Sequence, residues 1–164
     1  MHIKATTKNP ANIHWPVLNI FSIFEANINE NYIQMKNNIA AVQEFHTAFK
    51  IGYKENPVAN LGSVKNQLRY ELMREENEEY LEAARADDLV EVADALGDML
   101  YILCGTIIEH GMQHKIEEVF NEIQRSNMSK LGADGNPIYR EDGKVLKGPH
   151  YFKPNIEKIL NSEF

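Results

Sequence analysis

From Met35 onward, apolar residues recur every three or four positions, and this spacing constrains the fold more than any other feature of the chain. Such spacing places the apolar side chains on one face of an α-helix. Gly52 and Pro57 interrupt the pattern, and Gly111 stands where a glycine commonly follows a helix end. The pattern predicts four main helices, over about residues 36–50, 64–86, 89–110 and 115–128.

The fold class that follows is all-α, an antiparallel four-helix-type bundle with short connections. Residues 133–137 have turn chemistry, and the segments 138–140 and 144–146 flank Glu141-Asp142-Gly143 as a small hairpin. A last short helix is predicted from Pro154-Asn155 to about Leu160. The bundle therefore carries a basic, loop-rich C-terminal tail.

The domain is predicted to span residues 35–164. Residues 1–34 contain Pro10 and Pro16 and no sustained periodicity. We interpret them as an appended, poorly structured N-terminal extension, or as a start assigned too early.

Composition places the chain among soluble globular proteins, with 43% apolar and 25% charged residues in 164. No apolar run approaches the roughly 18 residues that cross a membrane, and no signal peptide is evident. The single cysteine, Cys104, lies in an apolar setting, is predicted to be a reduced core residue and cannot form an intrachain disulfide. These features predict a cytoplasmic protein without a membrane partner.

The net charge of −7 is unevenly distributed. Residues 71–98 contain 11 acidic residues against Arg74 and Arg85, whereas residues 125–153 contain six basic residues and three acids. An acidic segment and a basic tail suit a metal-bridged polyphosphate. The acidic total, without a dense basic stripe, argues against a nucleic-acid partner.

The second predicted helix carries the sequence E-E-x-x-E at Glu75, Glu76 and Glu79. On a helical wheel, Glu76 and Glu79 share a stripe with Leu68 and Leu72, where a core residue is expected. A buried ionised carboxylate is costly unless it is paired or holds a metal. Because basic residues are scarce in this segment, a divalent cation is the natural partner.

The third helix carries a matching set, Glu91, Asp94 and Asp98, within about 60° of one another on the wheel. Antiparallel packing of the two helices across Asp87-Asp88 is expected to bring both sets face to face. Oxygen-only ligands from rigid helices suit hard cations such as Mg²⁺ or Mn²⁺.

Other interpretations stay open. Acidic residues on helices are usually solvated, repulsion between neighbours costs a helix only about 0.2–0.5 kcal/mol per pair, and Asp88-x-x-Glu91 matches a capping box. A di-iron bundle is disfavoured because no histidine follows these acids at i+3. A non-catalytic nucleotide sensor or helical interaction module on the same fold is the main alternative function.

The basic tail adds ammonium, amide and hydroxyl groups beside glycines, a combination that suits phosphate oxygens. By itself, a lysine-bearing hairpin is more often a solvated surface. The relevant stretches are Ser126-Asn127-Met128-Ser129-Lys130 and Asp142-Gly143-Lys144-Val145-Leu146-Lys147-Gly148-Pro149.

Together, E-E-x-x-E, E-x-x-D and this tail resemble the all-α nucleoside triphosphate pyrophosphohydrolases, a superfamily that includes MazG-like proteins, dimeric dUTPases and phosphoribosyl-ATP pyrophosphohydrolases. The resemblance covers about residues 36–160 and is nearest to the MazG-like branch with dUTPase-type members. It implies metal-dependent hydrolysis of an NTP or dNTP to the monophosphate and pyrophosphate. It also implies a homodimer or homotetramer with sites near subunit contacts.

The resemblance implies a role for each matching residue. Glu76, Glu79, Glu91 and Asp94 are expected to bind Mg²⁺ or Mn²⁺, and Glu75 to orient or deprotonate the attacking water. Tyr101 either faces the sugar or base or lies in the core, and His46 is similarly ambiguous. The expected substrate-binding residues are Asp98, Tyr101, Asn127, Lys130, Lys144 and Lys147.

Overall fold

The computed structural model of the protein describes residues 35–162, and the N-terminal extension predicted over residues 1–34 lies outside them. All five predicted helices are confirmed to within about two residues, a margin at which helix ends are commonly assigned. The helices are α1 (35–48), α2 (Ser63–Ala86), α3 (Leu89–Glu109), α4 (Ile116–Met128) and α5 (Ile156–Leu160). The all-α bundle predicted from the periodicity is thus observed.

Helices α2 and α3 form an antiparallel hairpin and pack against each other far more extensively than α4 and α5 do. Asp87 ends α2 in the left-handed conformation, and its N–H donates back to the carbonyls of Ala83 and Ala84. The side chain of Asp88 then accepts hydrogen bonds from the N–H groups of Val90 and Glu91, which caps α3. These two residues turn the chain back on itself at once.

The apolar core lies between α1 and the C-terminal half of α3. It is built from Ile39 and Val42 on α1 and Cys104, Ile107 and Ile108 on α3. Cys104 is a free, buried thiol as expected, and burial raises its pKa. This core fixes α1 beside α3, away from the turn at Asp87-Asp88.

The connection between α1 and α2 is docked onto the end of α3. Lys54 N–H donates to the Ile108 carbonyl, and Val58 N–H donates to the His110 carbonyl. Gly111 has a φ of 69°, and a Cβ there would meet the Asn56 carbonyl oxygen at 2.1 Å. The glycine is therefore required both by its conformation and by close packing.

The C-terminal tail is held against α4 by hydrogen bonds. Ser126 Oγ donates to the Phe152 carbonyl (2.8 Å), and Gly148 N–H donates to the Lys130 carbonyl (2.9 Å). The predicted hairpin is present in a minimal form, with one antiparallel bridge between Tyr139 and Val145.

A row of apolar side chains on α3 lies exposed, and its positions alternate by four and three residues, the spacing of a coiled-coil seam. Leu89 is 79% exposed and Leu96 is 50% exposed. We call this row the α3 seam; it comprises Leu89, Ala93, Leu96, Leu100 and Leu103. In the described part of the chain, no helix is long and apolar enough to cross a membrane.

Candidate functional site

Six acidic side chains from the two arms of the hairpin form what we call the carboxylate cluster. The antiparallel pairing of α2 and α3 brings Asp94 and Asp98 close enough to Glu76 for their charges to act on it. Glu76 is partly buried, and the other five are exposed. The cluster comprises Glu75, Glu76 and Glu79 on α2 and Glu91, Asp94 and Asp98 on α3.

Glu76 is the electrostatic centre of the cluster. Its Oε2 is buried and has no hydrogen-bond partner. Desolvation raises the pKa of Glu76, and the charges of Glu79, Asp98, Glu75 and Asp94, in that order, raise it further. An orphaned carboxylate oxygen among four like charges has the chemistry of an oxygen-ligand cation site.

The cluster is looser than a finished metal site. Within residues 35–162, no three Asp, Glu, His or Cys side chains converge closely enough to hold a metal as they stand. Glu91 is not among the groups that raise the pKa of Glu76. The expectation that Glu79 also occupies the buried stripe is wrong, because α3 covers the face of α2 on which Glu76 lies and leaves Glu79 exposed. The predicted metal ligands Glu76, Glu79, Glu91 and Asp94 therefore remain predictions.

Among residues 35–162, no basic side chain balances the charge of the cluster. Arg74 lies next to it in sequence, but its guanidinium is engaged by Glu71 and Glu78, each at 2.7 Å. Its hydrogen bond is the main cause of the lowered pKa of Glu71. Across residues 35–162, no cluster carboxylate has an ion-pair partner. Residues 35–162 therefore supply no cation of their own to the cluster.

The predicted phosphate-binding residues lie elsewhere in the chain. Lys130 donates to the Asn127 side chain (2.7 Å), and Lys147 lies 4.2 Å from the centre of the Tyr151 ring. Lys144 lies in the minimal hairpin and is exposed. The bonds described for this tail run to α4 and within the tail. Within residues 35–162, the hydrogen bonds of the tail do not reach the carboxylate cluster.

Tyr101 lies at the surface rather than in the core, with 41% of its area exposed. It follows Asp98 by one helical turn and meets the Phe45 ring edge-on at 5.7 Å. Phe45 in turn stacks on Phe49, whose exposure is 67%. His46, the other ambiguous aromatic, is buried, and its Nδ1 donates to the Gly52 carbonyl.

Sequence reasoning missed a buried polar group at the other end of the hairpin. Arg69 is 8% exposed and Glu109 is 3% exposed. The available signal was the seven-residue step from Arg69 to Glu76, which places both on the face of α2 that packs on α3. A cavity of about 280 Å³ opens beside this group, far from the carboxylate cluster; it is lined by Ile51, Gly52, Tyr53, Lys54, Leu61, Lys65 and Glu109.

The all-α fold and the acidic hairpin agree with the class expected from the sequence, the all-α nucleotide pyrophosphohydrolases. A model of the phosphoribosyl-ATP pyrophosphohydrolase family matches residues 42–127, more than half of the chain. The protein belongs to this family, which is part of the MazG-like, all-α NTP pyrophosphohydrolase superfamily. The match spans the carboxylate cluster and indicates pyrophosphohydrolase chemistry on a nucleotide-like substrate. A comparison with curated proteins found no match.

Proposed function

We propose that the protein hydrolyses a nucleoside triphosphate, in particular a dNTP such as dUTP, to the monophosphate and pyrophosphate. Its role would be to remove unwanted nucleotides from a cytoplasmic pool. The observation that carries this proposal is the orphaned, partly buried Glu76 carboxylate, which is surrounded by acids and lacks a protein cation. Family membership supports the reaction type.

The donor set fits Mg²⁺ or Mn²⁺, because it consists of carboxylate oxygens on two rigid helices. Glu76, Glu79, Glu91 and Asp94 would hold the metal after side-chain rotation. Two of these ligands, Glu79 and Asp94, already lie close enough to raise the pKa of Glu76. When bound, such a cation neutralises phosphate charge and lowers the pKa of coordinated water.

Three side chains of the hairpin would act on the reacting atoms or beside them. Glu75 is exposed on the edge of the cluster, where its carboxylate can orient a water molecule or take its proton. Asp98, whose charge acts on Glu76, and Tyr101 lie one turn apart on α3 and would contact the sugar or base. Tyr101 brings an accessible aromatic surface for that contact.

The tail would bind the polyphosphate and stabilise the leaving pyrophosphate through Lys130, Lys144 and Lys147, with Asn127 as a further donor. Ammonium groups favour the charge that develops on that leaving group. The Lys130 ammonium already lies against the Asn127 side chain, so the two can act on one phosphate together.

A second copy of the chain is the partner that we propose, as a homodimer or homotetramer. Four leucines of the α3 seam are exposed at heptad spacing, a pattern that packs best against another helix with the same spacing. Tyr70 and Leu81 on α2 are further exposed large apolar side chains. Sedimentation of a Leu96→Glu, Leu100→Glu variant should show smaller particles than the wild type, whereas Val64→Glu, which lies off the seam, should not.

A nucleotide panel tests the enzymatic function. The protein is incubated with Mg²⁺ and each dNTP or NTP in turn, and released pyrophosphate is measured. The proposal predicts release from at least one nucleotide and its loss in Glu79→Gln. A nucleotide sensor on the same fold would bind a nucleotide without turnover in either form, and that result would overturn the enzymatic proposal.

A further inference from the structure

Beyond the cluster, the hairpin contains a second polar site in which one arginine spans the two helices. Arg69 Nε donates to Thr106 Oγ1 (3.0 Å), Arg69 Nη2 donates to the Ile102 carbonyl (2.6 Å), and Arg69 Nη1 lies 3.6 Å from Glu109 Oε1. All three acceptors lie on α3. We call this arrangement the Arg69 clamp.

The clamp requires side chains from α1 and α2 to come close to the backbone of α3, and Gly105 is the position that permits this. A Cβ added at Gly105 would lie 3.1 Å from both Arg69 Nη2 and His46 Nε2. The glycine therefore lets a side chain from α1 and one from α2 reach the backbone of α3. His46 is itself fixed from behind by its bond to Gly52.

Burying a guanidinium is costly, and desolvation lowers the pKa of Arg69 while the Glu109 carboxylate opposes that shift. The cost is offset by the two hydrogen bonds and by the ion pair, which is what makes a buried charge tolerable. A buried ion pair is weak evidence for stability alone, since an apolar pair of similar size is often as stable. The fixed placement of α2 relative to α3 that this ion pair imposes is a stronger reason for the ion pair to be present.

The position of the clamp along the hairpin determines how α2 and α3 are aligned at the carboxylate cluster. Arg69 and Glu76 are seven residues apart on α2, about 10 Å along the axis, and Thr106 and Asp98 are eight residues apart on α3. Because α2 and α3 are antiparallel, moving up the chain on α2 and down the chain on α3 leads from the clamp to the cluster over nearly the same length. The clamp therefore sets the register in which Glu76 lies near Asp98. The turn at Asp87-Asp88 ties the hairpin at its other end.

Between these two ties, the helices carry only like charges at the cluster, and these charges push α2 and α3 apart when no cation is present. We propose that Arg69 is a positioning residue that holds α2 and α3 at the spacing and register that allow the cluster to bind a divalent cation. The inference rests on the proposed metal site and adds a residue that does not touch the metal.

The test measures Mn²⁺ binding without turnover, from the loss of the free-ion electron paramagnetic resonance signal, in the full chain. Arg69→Lys keeps the positive charge beside Glu109 but cannot reach Thr106 and Ile102 together. We expect it to weaken Mn²⁺ binding about tenfold, because small displacements of a preorganised site have effects of this order or larger. Arg74→Lys on the exposed face of the same helix is the matched control and should change binding less than twofold.

A second pair of variants tests the clamp independently of any change at Arg69. Thr106→Val deletes the hydroxyl that receives Arg69 Nε and should weaken Mn²⁺ binding in the same direction, whereas Thr106→Ser keeps the hydroxyl and should restore it. If Arg69→Lys does not fold, the Mn²⁺ binding of the two Thr106 variants decides whether the clamp positions the cluster. Circular dichroism at the temperature of the titration verifies that each variant is folded.

Three results would overturn the inference. Folded Arg69→Lys and Thr106→Val variants that bind Mn²⁺ like the wild type would show that the clamp does not position the cluster. A lower melting temperature with unchanged Mn²⁺ affinity would assign the clamp a purely structural role. A wild-type protein that binds no Mn²⁺ would refute the proposed metal site itself, and the clamp inference would fall with it.

Discussion

Removing the charge of Glu76 should stabilise the metal-free protein while it weakens metal binding. Glu76→Gln keeps the shape and helix propensity of the side chain and deletes its repulsion with Glu79, Asp98, Glu75 and Asp94. Like-charge neighbours three or four residues apart on one helix, such as Glu76 and Glu79, cost about 0.2–0.5 kcal/mol, and the same order is taken for the other three charges. Four such terms sum to about 1–2 kcal/mol, which for a domain of this size corresponds to a rise of roughly 2–8 °C in the melting temperature.

The same substitution should change how stability depends on pH. The pKa of Glu76 is raised above its ordinary value of 4.5 in the folded protein, so the native state binds this proton more tightly than the unfolded state. Its destabilising effect is fully present above the raised pKa and disappears as the pH falls toward 4.5. As the pH falls toward 4.5, the free energy of unfolding of the metal-free wild type should therefore increase by a contribution that Glu76→Gln lacks.

Denaturant unfolding in the presence of a chelator, at pH values from neutral to 4.5 and at two salt concentrations, measures both effects. The advantage of Glu76→Gln should shrink at high salt because the repulsion is screened. Glu78→Gln is the control, because Glu78 is ion-paired with Arg74 and lies on the exposed face. A metal-free Glu76→Gln protein that is no more stable than the wild type would refute the repulsion that we infer at the cluster.

Three further substitutions test local features of the fold, two by denaturant unfolding and one by limited proteolysis. Gly111→Ala should cost more than about 1 kcal/mol, because alanine is strained at positive φ and its Cβ would overlap the Asn56 carbonyl; an unchanged free energy of unfolding would contradict the close contact. Gly148→Ala places a Cβ 2.0 Å from the Leu131 carbonyl oxygen and should release the tail, seen as faster proteolysis after residue 131; equal cleavage rates would argue against that packing. Asp88→Ala should cost about 1 kcal/mol through loss of the cap on α3, and a loss below a few tenths would show that the cap is dispensable.

The helices could be predicted from the sequence because their signals are local. The apolar spacing, the cap at Asp88 and the glycine at 111 each act within one or two turns. The minimal hairpin at Tyr139 and Val145 was likewise predictable from its turn residues. These signals gave the all-α bundle and the order of its elements.

Side-chain burial in the site could not be predicted in the same way. Which acid of E-E-x-x-E is covered depends on how α3 lies on α2, and the structure covers Glu76 while Glu79 remains exposed. The role of Arg69 could not be predicted because its partners on α3 lie more than 30 residues away in sequence. The tail follows the same rule, since Ser126 and Ser129 fix Phe152 against α4 through long-range bonds.

The most direct test of the metal site is whether the two helices bind one cation jointly. Calorimetric titration with Mn²⁺ would compare the wild type with Glu79→Gln on α2, Asp94→Asn on α3 and the double variant. If both residues hold the same ion, each single change should weaken binding at least tenfold, and the double change should weaken it by much less than the product of the two. Effects that simply multiply, or single variants that bind Mn²⁺ like the wild type, would contradict a metal site shared by α2 and α3.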